Sequence, residues 1–168
     1  ENVMFHGDTV KIIDFGLSCR YQPGHRLRQV GTLQTMAPEV FSGDYDSQCD
    51  VWSVGVMAFE LLCGIKPFRS THLASLFNEI AGAKYRRFPV GIPQQAKTFV
   101  QQMLQKDPHQ RPTIQQALEY PWIQAKTKSW TLQEALVTQL QAYAQISTLQ
   151  KVTSLVVAHQ RAASNNPQ

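Results

Sequence analysis

Apolar residues fall into two regimes along this chain. Up to residue 13 they come in short β-prone runs, Val3 to Phe5 and Val10 to Ile13, on either side of His6-Gly7-Asp8-Thr9. That arrangement predicts a β-hairpin turning near Asp8. Later spacing is helical. Val51 to Leu62 is apolar on nearly every side, which predicts a helix at the centre of a core. Leu73, Leu76, Phe77 and Ile80, then Ala96, Phe99, Val100, Met103 and Leu104, recur at helical spacing and predict two surface helices, each with one buried face.

Polar punctuation sets the ends of these elements. Ser47-x-x-Asp50 has the form of a capping box ahead of the central helix, and Gly64 with Pro67 supplies its stop. Gly82 closes the second helix and Asp107-Pro108 the third. Thr113-x-x-Gln116 caps a further short helix, expected to stop before Pro121, so that the first domain spans residues 1–122. A polar linker over 123–130 follows. Thr131-x-x-Glu134 then opens helices over 131–160, with Leu136, Leu140, Tyr143, Ile146, Leu149, Val152 and Val156 at buried spacing. Residues 161–168 carry Asn-Asn-Pro without periodicity and are expected to fray. The fold class is therefore mainly α, with a short N-terminal β-hairpin and C-terminal helices.

Composition narrows the function classes. Hydrophobic residues make up 43% of the 168 and charged residues 17%, which excludes a disordered tail and a coiled coil. Lys plus Arg number 16 against 12 Asp plus Glu, a net charge of +4 with no run of like charges, so no nucleic-acid partner is expected. Cys19, Cys49 and Cys63 are odd in number and form no CxxC, so neither a disulfide framework nor a zinc site is indicated and a reducing, cytoplasmic setting fits. The longest apolar stretch, Val51 to Ile65, contains Glu60 and is too short to span a membrane. With Glu1 first, Met4 close behind and no signal peptide, the chain reads as a fragment.

Asp14-Phe15-Gly16 directly follows the second predicted strand. An antiparallel register centred on Asp8 sets Asn2 opposite Asp14, about 5 Å apart at Cα. A carboxylate and an amide oxygen at the mouth of a hairpin suit a hard cation such as magnesium; a solvated turn with an ordinary strand-end aspartate is the competing reading.

The order of later motifs bears on that choice. Ala37-Pro38-Glu39 follows an irregular polar segment from Leu17 to Met36, and then come Asp50-Val51-Trp52, Asp107-Pro108 and Arg111-Pro112. In these motifs residues 1–122 resemble the protein kinase superfamily, specifically its C-terminal lobe from the end of the catalytic loop. The resemblance implies that Asn2 and Asp14 hold Mg2+ on ATP, and that Glu1, Met4 and Ile13 line the nucleotide site. Met4 and Ile13 are equally readable as core residues. It implies that Glu39 and Arg111 form a buried structural ion pair, and that Asp50 caps the central helix and bonds the catalytic-loop backbone. Thr32 is implied to face the residue after the phosphoacceptor, with serine/threonine specificity, because tyrosine kinases typically have proline there. Glu60, like Glu1, is similar to acidic residues that receive a basic substrate side chain, and a solvated glutamate is the other reading. Between Ser18 and Thr32 the only hydroxyl is that of Tyr21, so control by loop phosphorylation on serine or threonine is not expected.

Leu140 to Val152, continuing to Ala158, resembles the junction segment of calcium-dependent protein kinases, an inhibitory helix that precedes EF-hands. Such a helix fills a groove until a partner takes its apolar face. The implied partners are protein substrates and, through 131–160, an EF-hand domain or separate calmodulin. No glycine-rich loop, strand lysine or catalytic-loop aspartate occurs in the sequence, nor any EF-hand loop, so Ca2+ would act only through EF-hands absent from it. The expectation is a serine/threonine kinase using Mg-ATP, with these residues inactive alone. A non-catalytic docking module derived from a kinase is the alternative.

Overall fold

The computed structural model describes residues 2–6, 9–22 and 27–124, the side chain of Phe5 excepted. The expectations for Glu1 and for the linker, junction helices and tail beyond Gln124 lie outside the described residues. The architecture is a two-stranded antiparallel sheet, β1 (Val3–His6) and β2 (Thr9–Ile12), followed by helices α1 (Gln48–Cys63), α2 (Leu73–Ala81), α3 (Gln94–Met103), α4 (Ile114–Leu118) and α5 (Pro121–Gln124). Short 3-10 turns at Leu33–Thr35, Pro38–Ser42 and Pro108–Gln110 brace the connections.

The core is built around α1. Val51, Trp52, Val56, Phe59, Leu62 and Cys63 are buried, and Gly64, in the left-handed conformation at φ 67°, ends the helix by donating to the Glu60 carbonyl at 2.8 Å. Burying each large apolar side chain contributes roughly 1.5–3 kcal/mol. Helix α3 brings Ala96, Phe99, Val100 and Met103 against this face. The two helices approach so closely that a Cβ on Gly55 would lie 2.5 Å from Met103 Cβ. Only glycine fits there. Phe99 then packs edge-on against Tyr120 and at a tilt against Trp122, with ring centroids at 5.4 and 5.2 Å, and ties the last helices to the body.

Several local expectations are corrected. Helix α1 is not buried all round: Val54, Met57 and Leu61 form an exposed stripe, because their three- and four-residue spacing places them away from the Trp52–Val56–Phe59 face. The Ser47-x-x-Asp50 capping box does not form. Ser47 is already helical, and Asp46 caps instead, its Oδ1 accepting from the Gln48 N–H at 2.8 Å. The box at Thr113 does form: Thr113 Oγ1 accepts from Gln116 N–H at 3.2 Å, and Gln116 Oε1 from Thr113 N–H at 2.8 Å. Helix α4 stops before Pro121 as expected, but Pro121 then starts a further turn of helix, since a proline in the first turn forfeits no helical hydrogen bond.

Candidate functional site

The hairpin register differs by one residue from the expected one. Val3 pairs with Ile12 and His6 with Thr9, so the connection is two residues long and the symmetry point falls between Gly7 and Asp8. Asn2 consequently faces Ile13, whose N–H donates to the Asn2 carbonyl at 2.9 Å, and Asp14 follows just beyond the paired region. In this register Asn2, Met4 and Ile13 share one face of the ladder. Met4 and Ile13 are both exposed, which removes the reading of them as core residues within these elements.

Asp14 leaves the strand in a left-handed conformation, φ 61°. Aspartate visits this region more readily than most residues, and non-glycine residues held there cluster at functional sites. Its Oδ1 accepts from the Gly16 N–H at 3.2 Å, and a turn in which Ser18 donates twice to the Phe15 carbonyl fixes the loop behind it. The other carboxylate oxygen accepts no hydrogen bond among the described residues. Oxygen donors from Asp14 and the Asn2 amide match what magnesium takes, one or two carboxylates with the remaining positions left to phosphates and water.

At its far end the segment is anchored firmly. Arg111 is 4% exposed and uses all five of its N–H donors. Nη1 donates to Glu39 Oε1 at 2.6 Å and to the Gln48 carbonyl at 2.9 Å. Nη2 donates to Glu39 Oε2 at 2.8 Å and to the Lys106 carbonyl at 3.3 Å, and Nε to the Gln105 carbonyl at 2.8 Å. The guanidinium lies 5.0 Å from the Trp52 ring centre, and Trp52 stacks on Phe68 at 5.9 Å. The planar fork matches the carboxylate as lysine could not. Gln48 joins the same cluster, its amide donating to the Pro108 and Arg111 carbonyls, both at 3.2 Å. The sequence gives little notice of Gln48; a polar residue at the start of an apolar helix is the sole signal.

Between these ends, a cavity of about 410 Å3 is lined by Thr32, Asp50, Cys19, Cys49 and Tyr45 among others. The structure thus brings Thr32 and Asp50 to one cavity. Asp50 sits exposed in the first turn of α1 and accepts only a weak contact from Cys49 Sγ at 3.9 Å, so it serves the helix dipole rather than capping it. No bond from Asp50 to the Asn2 backbone is present among the described residues. Burial, then the Asp50 charge, pushes the Cys49 thiol up to about 12, so it stays protonated at neutral pH and is no ready nucleophile. Ser53 Oγ donates to the Thr35 carbonyl at 2.9 Å and holds the Thr32–Met36 stretch against α1. Glu60 is exposed on α1, apart from this cavity's lining. Tyr21 is exposed.

Comparison with known proteins decides the family. A protein kinase domain model matches residues 1–123. The chain belongs to the protein kinase family. It resembles the calcium-dependent protein kinases: it is 37% identical over 168 residues to calcium-dependent protein kinase 9 of Oryza sativa subsp. japonica, covering 94% of this chain and 29% of that protein. With calcium-dependent protein kinase 34 of Arabidopsis thaliana the identity is 36% over 156 residues, covering 89% of this chain and 30% of that one. Among solved structures the twitchin kinase region from C.elegans aligns with a TM-score of 0.72 and 29% identity over 85% of this chain and 27% of its own. The chain therefore spans under a third of the length of these relatives. Its mainly helical body with an N-terminal two-stranded sheet is a kinase C-lobe. No helix among the described residues is long and apolar enough to cross a membrane.

Proposed function

We propose that these residues are the large-lobe part of a calcium-regulated serine/threonine kinase that moves the γ-phosphate of Mg-ATP to a protein hydroxyl. The observation that carries the reading is the Arg111–Glu39 joint, which fixes one end of the 14–39 segment to the helical body while Asp14, at the other end, keeps a carboxylate oxygen uncommitted. Phosphoryl transfer asks mainly for positioning and charge neutralisation. Asn2 and Asp14 would hold the metal, whose chemistry is to bridge and neutralise the outer phosphates. Met4 and Ile13, on the same ladder face as Asn2, offer apolar surface for the base, and Glu1 is a further nucleotide-site residue in this reading. Thr32, held by the 3-10 turn in which Thr35 N–H and Oγ1 both donate to its carbonyl, faces the residue after the phosphoacceptor, and Glu60 takes a basic side chain of the substrate.

In this reading residues 1–122 are the kinase-domain part, 123–130 a linker, and 131–160 regulatory helices that an EF-hand domain engages in a cytoplasmic protein. The 168 residues alone are inactive, because the general base, the glycine-rich loop and the strand lysine are not among them. The test is phosphate transfer to a serine peptide by the full-length protein. Calcium-stimulated turnover without added calmodulin, abolished by Asp14→Asn, is expected. Turnover that survives that substitution, or Asp14-dependent turnover by the 168 residues alone, overturns the assignment.

A further inference from the structure

Residues 27–32 form neither helix nor strand, yet they lead directly into the 3-10 turn that begins after Thr32. Their placement therefore rests on side chains. Two such contacts join them to the chain between Glu39 and α1: Tyr45 Oη donates to the Arg28 carbonyl, and Gln29 Nε2 donates to the Phe41 carbonyl at 2.6 Å. Each stretch accepts once from the other. Gly43 lies between them, left-handed at φ 74°, and a Cβ there would be 3.9 Å from the Leu27 carbonyl oxygen and 3.8 Å from Gln29 Nε2, so the two stretches pass within contact distance.

The anchoring side is fixed on its own account. Phe41 belongs to the turn that Glu39 ties to Arg111, the half-buried Tyr45 ring packs against the core, and the next residue, Asp46, caps α1. Burial raises the Tyr45 hydroxyl above its ordinary pKa, which keeps it a donor across the neutral range. Between Ser18 and Thr32 the sequence offers no serine or threonine whose phosphate could hold the stretch in place of these bonds. We infer that Tyr45 and Gln29 are positioning residues, clamping residues 27–32 so that Thr32 meets the substrate residue after the phosphoacceptor. This rests on the proposed kinase reading for what Thr32 faces. The Tyr45 ring contributes packing, whereas its hydroxyl contributes the bond to Arg28, so the structural and the positioning uses of this side chain differ by one oxygen atom.

Steady-state kinetics of the full-length protein on a serine peptide test this with Tyr45→Phe and Gln29→Ala. Each change should raise the peptide KM about three- to tenfold, the worth of one hydrogen bond, while the KM for ATP stays within about twofold. Melting curves check that both variants fold. Limited trypsin digestion adds a readout without turnover, because the bond cut after Arg28 is the one whose carbonyl Tyr45 engages. In Tyr45→Phe that cut should run about three- to tenfold faster relative to the cut after Arg20, an exposed residue outside the clamp. A peptide KM unchanged in both variants, equal rises in the KM for peptide and for ATP, or an Arg28 cleavage rate indifferent to the hydroxyl overturns the inference. Full-length protein that transfers no phosphate, while Tyr45→Phe still exposes Arg28, removes the kinase reading and the positioning role with it, and leaves the clamp itself standing.

Discussion

Arg111 and Asp14 are charged groups at opposite extremes of solvation. Arg111 is buried, has every donor matched and lies over an indole; Asp14 is exposed, holds a rarely visited backbone angle and accepts one long hydrogen bond from its own loop. The contrast separates two uses of charge. A saturated buried pair fixes a joint and has nothing left over for a ligand, whereas an unsaturated exposed carboxylate contributes little to folding and keeps its valence for chemistry. If that division is right, damage to one region should appear in stability and damage to the other in nucleotide binding, with little crossover.

The largest effect belongs to the joint. Arg111→Ala should cost about 3–5 kcal/mol in urea unfolding, because Glu39 is left buried without its partner. Replacing both, as Glu39→Gln with Arg111→Met, should cost much less than the sum of the single changes, and additivity of the two would break the account. Next comes Gly55→Ala, expected at about 1–3 kcal/mol since the new methyl meets Met103 Cβ, an atom that cannot swing aside. Thr113→Ala removes one half of a capping box and should cost about 1 kcal/mol. Smallest in stability is Asp14→Asn: asparagine also tolerates the left-handed region, so unfolding should shift by less than about 0.5 kcal/mol. A large destabilisation from that change would erase the distinction between the two regions.

How far these features could be read from the chain follows the same line. The helices of the body were legible because burial imposes a period, and Val51 to Leu62 and Ala96 to Leu104 display it. The box at Thr113 was legible because both of its members act locally. Ser47 misled, since Asp46 competes for the same orphan N–H groups and a carboxylate one residue earlier wins. Hairpin register could not be fixed, because a shift of half a residue in the symmetry point changes every partner and β2, exposed along its whole length, offers no buried face to choose between registers. Motif order announced Glu39 and Arg111 as partners, but not Gln48 or Trp52, whose roles arise from side chains meeting across some sixty residues of chain.

Trp52 gives the joint its own optical reporter. Its indole is completely shielded from water, its Nε1 has no acceptor among the described residues, and a cation rests against the ring. Excited at the red edge in a background with Trp122 and Trp130 changed to phenylalanine, it should emit at short wavelength. A red shift that appears before global melting would mark the instant the guanidinium lifts away and water enters.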